Sequence, residues 1–167
     1  MKIKIIIFTF LILTFYSINA QEKKDIYIPE QYEEFTTDTI IDSKLKLRLI
    51  ITRKAIMDKA IPYIITTENN LTETQYYRDY SSEIIVYKAD EILFKRTLVK
   101  NDFEQIGDEE FMYKAITHNT WFNEYDKKNK LIKISHVIGV PETDWNYHFT
   151  LFIDNKGNYH SELDEIE

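Results

Sequence analysis

Alternation of apolar and polar positions dominates the chain. In Lys44–Thr52 (KLKLRLIIT), Leu45, Leu47, Leu49 and Ile51 fall on one face, and Lys44, Lys46 and Arg48 on the other. A period of two is that of a half-buried strand. Arg53–Ile61 reads as a loop or one short turn, because Pro62 disfavours helix in the residue before it. PYIITTE (Pro62–Glu68) reads as a short strand, Asn69-Asn70 as a turn, and TETQYYRDY (Thr72–Tyr80) as an irregular or edge strand. Ser82–Val99 predicts a hairpin. A two-residue loop at Asp90-Glu91 would place Ile85, Tyr87, Ala89, Ile92 and Phe94 on one face.

Two further hairpins share a turn chemistry. YDKKNKL has Asp126 at its first corner and Asn129 where a positive φ is needed; IDNKGNY has Asp154 and Gly157 in those places. Each suits a type I turn closed by a left-handed residue. In the second hairpin this register aligns Ile153 with Tyr159, Leu151 with Ser161 and Phe149 with Leu163. It sets Phe152 against His160, Thr150 against Glu162 and His148 against Asp164 on the other face. The first face is mostly apolar, and this sorting of inside from outside supports the register. The spacing predicts one helix, about 101–117. Asp102 or Asp108 would cap it, Glu109-Glu110 would sit in its first turn, and Phe111, Met112, Ala115 and Ile116 would form an apolar stripe. The expected fold is α+β, mainly antiparallel β: a single curved sheet, half-barrel or sandwich built from hairpins with one helix.

The N-terminus departs from this pattern. A basic MKIK precedes a mainly apolar run of twelve residues, Ile5–Tyr16, and then Ala20. That run falls short of the ~20 residues a bilayer-spanning helix needs, but it has the form of a secretory signal cleaved after Ala20. Residues 21–36 are polar, carry Pro29 and read as a flexible leader. Residues 37–167 read as a single β-rich domain, with no integral membrane segment once the signal is cleaved. The expected location is exported, periplasmic or secreted.

Of the 167 residues, 21 are basic and 28 acidic; without Lys2 and Lys4 the balance is 19 to 28. An acidic chain argues against a nucleic-acid partner and against electrostatic capture by anionic lipid. The absence of Cys excludes disulfides, thiolate ligands, a Cys nucleophile and attachment of lipid to an N-terminal Cys. Asn70-Leu71-Thr72 fits the glycosylation sequon.

Little else has the pattern of chemistry. The four histidines are dispersed. His148 and His160 would stand roughly 13 Å apart in the register above, so no metal is expected, and no cofactor. His136 falls with Ile132, Ile134 and Ile138 and reads as a core or edge histidine. Ser81, Ser82 and Ser135 lack the glycine-flanked strand-to-helix elbow of a nucleophile, so no catalytic residue is assigned. Trp121, Tyr125, Trp145 and Tyr147 lie near strand ends, with Trp121 and Tyr125 expected on one face opposite Phe122. Together they form a candidate binding surface for a protein or glycan.

The order of several short stretches resembles a known family. These are AIPYI (Ala60–Ile64), YYRDY (Tyr76–Tyr80), LFKRTLVKNDF (Leu93–Phe103, with its Thr-x-x-Lys-x-x-Phe) and VIGVPETDWNYHFTLFIDNKGNYH (Val137–His160). They resemble the exported or lipid-anchored proteins of Bacteroidota-type bacteria grouped as domain of unknown function 4738. Many of those carry a lipid-attached Cys, which this chain lacks. The resemblance implies a compact secreted domain and no activity. The expectation is therefore a secreted or periplasmic, non-enzymatic domain binding a protein or glycan at the cell envelope; a small envelope hydrolase or inhibitor is the alternative.

Overall fold

The computed structural model describes residues 25–66, 72–105 and 108–164. The segment expected to be a signal, and Asn70 and Leu71 of the expected sequon, fall outside them. Among the described residues eleven strands form three sheets: β1 (Ile26–Ile28), β2 (Glu34–Asp42), β3 (Leu47–Ala55), β4 (Ile61–Thr66), β5 (Thr72–Tyr77), β6 (Tyr80–Lys88), β7 (Glu91–Leu98), β8 (Ile116–Asp126), β9 (Leu131–Gly139), β10 (Asn146–Ile153) and β11 (Tyr159–Leu163). Two four-stranded antiparallel sheets, β2-β3-β6-β7 and β11-β10-β9-β8, enclose the core; β1-β5-β4 forms a small third sheet. The expected mainly antiparallel architecture is thus a sandwich with a side sheet rather than one curved sheet.

The alternation seen in the sequence explains the core. Leu49 and Ile51 of β3, with Ile84 and Val86 of β6, face Ile132 and Ile134 of β9 and Leu151 and Ile153 of β10 in one cluster. Burying a side chain of this size contributes about 1.5–3 kcal/mol. Without disulfides, this burial holds the fold. Leu45 belongs to the turn before β3 and is exposed.

The β10–β11 register matches the sequence reading at all five pairs, from Phe149↔Leu163 to Ile153↔Tyr159. Gly157 has φ +83, and a Cβ built there would lie 2.2 Å from the Leu93 carbonyl oxygen. Backbone conformation and close approach both require glycine. Gly157→Val is expected to cost at least about 2 kcal/mol. An unchanged urea midpoint would contradict this account of the turn.

Other expectations are corrected. The β6–β7 loop is Ala89-Asp90, both at positive φ, rather than Asp90-Glu91. With a bulge beyond it, the shift sends Ile84, Val86 and Phe94 inward, and Ile85 and Tyr87 outward. In the β8–β9 turn the positive φ falls at Lys130, not Asn129. Asn129 instead closes onto Asp126 through its backbone N–H (3.0 Å) and its Nδ2 (2.7 Å). The leader is not free chain. Ile26–Ile28 pairs in parallel with β5, and Glu34 opens β2. Pairing on both sides makes β5 the centre of the small sheet, not an edge.

The helix is shorter than the spacing predicts. Lys100–Phe103 forms a 3-10 turn, and among the described residues of this span Glu109–Lys114 alone is α-helical (α1). Asp108 caps α1 by accepting the Phe111 N–H at 2.8 Å. Ala115 then turns extended, the Asp79 carboxylate takes the Thr117 N–H at 2.7 Å, and β-branched Ile116 and Thr117 begin β8. Phe111, Met112 and Phe103 are buried against the sandwich.

Candidate functional site

The β3–β6 ladder ends at Ala55↔Tyr80, and the β4–β5 ladder starts at Ile61↔Tyr77. Between them residues 56–60 stand against Arg78 and Asp79 alone. Five residues opposite two cannot stay in register, so the longer segment bows outward. Arg78 props it open. Its Nε donates to the Pro29 carbonyl (3.2 Å), its Nη1 donates to the Met57 carbonyl, and its guanidinium lies 4.8 Å from the Tyr27 ring centre. The Ile56 N–H donates to the Asp79 carbonyl at 2.8 Å.

The bowed segment forms one wall of an open cleft of about 700 Å³. Asp58, Lys59 and Ile61 line that wall, and Asp79, Lys100 and Asn101 line the rest of the working surface. A second hollow of about 640 Å³ shares Ile61, Lys100 and Asn101 and continues to Glu104, Glu109, Met112 and Tyr113. Tyr113 is 76 % exposed, which leaves its ring face open to a ligand.

Asp79 and Lys100 are held rather than mobile. Asp79 Oδ1 accepts the backbone N–H groups of Thr117 (2.7 Å) and Tyr80 (2.8 Å). Lys100 Nζ donates to the Ala115 carbonyl at 2.8 Å. Burial pushes the Lys100 ammonium below its usual pKa, against the opposing pull of Asp79 and Glu104. A carboxylate and an ammonium thus share one cleft, and among the described residues Asp79 Oδ2 and two ammonium protons keep hydrogen-bonding capacity.

A second polar set lies inside the sandwich. Ser82 Oγ and Thr120 Oγ1 share a hydrogen bond of 2.8 Å, and Thr120 Oγ1 and His136 Nδ1 share one of 2.7 Å. His136 is fully buried, as its apolar neighbours in sequence suggest, and its ring stacks on Phe103 at 4.9 Å. Burial pushes its pKa down to about 4. Arg53 donates from Nη1 to the His118 carbonyl and lies 4.2 Å from the Tyr80 ring centre. Burial and a hydrogen bond to Glu33 push the Tyr80 hydroxyl up to about 12.

The four aromatic residues of the expected surface do not form one strip. The β8–β9 register shifts between Phe122 and Glu124, leaving Trp121 opposite Ser135 and Tyr125 opposite Ile132. The shift reverses the parity, so Tyr125 joins Phe122 against the core while Trp121, 39 % exposed, points outward. Tyr147 packs against the core, 4.2 Å from Phe111, and Trp145, 36 % exposed, lies 5.3 Å from the same ring. The His148–Asp164 pair is corrected as well: the Asp164 N–H reaches the His148 carbonyl, but its carboxylate accepts from Thr150 Oγ1 at 2.8 Å. Phe152 and His160 stack face to face at 4.9 Å, as aligned from the sequence. Among the described residues no three metal-ligating side chains come together.

Sequence reasoning passed over Asp79 and Lys100. Both lie in stretches singled out for their resemblance, YYRDY and Thr97-x-x-Lys100-x-x-Phe103, and Ile61 lies in a third. The three stretches meet in the cleft.

The fold and site define an antiparallel β-sandwich domain with a charged cleft beside its small sheet. The chain belongs to a family described as a domain of unknown function (DUF4738), whose model matches residues 16–160. No curated protein matches it.

Proposed function

We propose that this chain is an exported, non-enzymatic binding domain of the cell envelope, and that the cleft at the ladder break receives a protein or glycan. The observation that carries the reading is the cleft itself: fixed charges of both signs, an amide at Asn101 and an open ring face at Tyr113. Such a mixture suits an extended polar ligand. The binding reading is favoured over a hydrolase because main-chain groups already hold Asp79 and Lys100. The one imidazole–hydroxyl pair among the described residues, His136 with Thr120, is buried. Export rests on the basic start, the apolar run and Ala20.

Two measurements test the proposal. Mass spectrometry of the protein recovered from its native host is expected to find Gln21 as the first residue; an intact N-terminus would refute export. Screening on glycan and peptide arrays is expected to give ligands whose binding falls about tenfold in Asn101→Ala or Lys100→Met, the loss of one hydrogen bond to a charged or amide group. Ligands indifferent to both changes would place binding elsewhere.

A further inference from the structure

The end of the sandwich remote from the cleft has a different character. The turns β2–β3, β6–β7, β8–β9 and β10–β11 all lie there, since Leu47 pairs with Lys88 and the Lys127 ammonium stands 3.7 Å from Asp42. At their centre is a small pocket of about 120 Å³. Leu45, Leu47, Leu93, Tyr125 and Ile132 form its apolar lining; Lys88, Lys130, Asp154 and Asn155 form its polar lining. Leu47 and Ile132 are buried, whereas both lysines are exposed.

Charge at this end runs against the acidic balance of the chain. Seven lysines lie in or beside the four turns. Of the five acids there, three are turned inward to the backbone. Asp42 accepts the N–H groups of Lys44 and Leu45, Asp126 those of Lys128 and Asn129, and Asp154 those of Lys156 and Asn158. Those bonds, with the Asn158 side-chain amide the largest contributor at Asp154, hold all three carboxyls below their usual pKa, so they stay ionised while their oxygens are taken by N–H groups; Asp90 and Glu91 make no such bonds, and seven lysines still outnumber the five acids. An apolar pocket lined by two ammonium groups, against one carboxylate (Asp154) whose oxygens the Lys156 and Asn158 N–H groups and Asn158 Nδ2 already occupy, matches a ligand that is apolar at one end and anionic at the other.

We propose that this end binds a soluble amphipathic carboxylate, its aliphatic chain in the pocket and its carboxylate between Lys88 and Lys130. An apolar cavity near 150 Å³ takes a benzene ring, so this pocket takes roughly four to five carbons. A straight-chain acid of about six carbons would then fill the pocket and leave its carboxylate at the mouth. The site is independent of the cleft and of its ligand.

The test uses the whole chain and three probes of equal length: hexanoate, hexan-1-ol and hexylamine, followed by amide NMR. Hexanoate is expected to bind most tightly, with shifts at Leu45, Leu93, Tyr125 and Asn155. Replacing Lys88 and Lys130 together by Gln should weaken hexanoate about fivefold, as expected for two exposed charges, and leave hexan-1-ol unchanged. Both lysines are exposed, so the double variant keeps the core. Equal affinity for acid and alcohol would overturn the role of the lysines. No shift at the pocket with hexanoate up to tens of millimolar would overturn the site. Cosedimentation with phosphatidylglycerol vesicles in the absence of hexanoate binding would assign the same charges to a lipid surface and overturn the soluble ligand.

Discussion

Phe103→Ala is expected to lower the unfolding free energy by about 3–5 kcal/mol, the range for removing a buried phenylalanine. Phe103 is 2 % exposed and ends the 3-10 turn that begins at Lys100. Its ring lies 4.5 Å from that of Phe149 and 4.9 Å from that of His136. Truncation opens a cavity between them and frees the turn that sets one side of the cleft. Denaturant unfolding measures the loss, and a cost under about 1 kcal/mol would mean that the turn is not docked on the sandwich. Because the same turn carries Lys100 and Asn101, ligand binding at the cleft should weaken even under conditions where the variant remains folded.

Acidification is expected to remove roughly 3 kcal/mol through His136 alone. Its pKa is about 4 when folded, against an ordinary value of 6.5. Below 6.5 the unfolded chain takes up a proton that the folded protein refuses, so stability falls as the pH drops from about 6.5 to about 4. Above 6.5 both states are neutral and the contribution is constant. His118, whose pKa burial also lowers, acts in the same direction. His136→Gln isolates the larger share. The variant should be less stable at neutral pH, since Thr120 loses an imidazole partner, yet show a visibly flatter stability profile between pH 6.5 and 4. An unchanged slope would show that His136 titrates normally in the folded state.

The readings that succeeded share a local cause. The β10–β11 register, the inward face of β3, the buried place of His136 and the left-handed Gly157 each follow from residues a few positions apart. Alternation decides which side faces inward, and turn chemistry decides where a strand reverses. The readings that failed needed information from elsewhere in the chain. One extra residue in β8 separated Trp121 from Tyr125, and nothing between them marks that bulge. The helix stopped at Lys114 because an aspartate 38 positions away captures the Thr117 N–H. The leader became strand because β5 offered it an unpaired edge.

By itself the sequence determined a mainly antiparallel, disulfide-free domain of hairpins around an aliphatic core, because local periodicity and the absence of Cys leave few other solutions. Tertiary structure alone decided that the sheets pack as a sandwich and that a third sheet grows from its side. It also decided that Asp79 and Lys100 meet in one cleft. They are separated by two strands in the chain, and a break of five residues against two brings them together. A pairing defect of that kind is set by what Arg78 and its distant carbonyl partners hold in place, so no local pattern announces it.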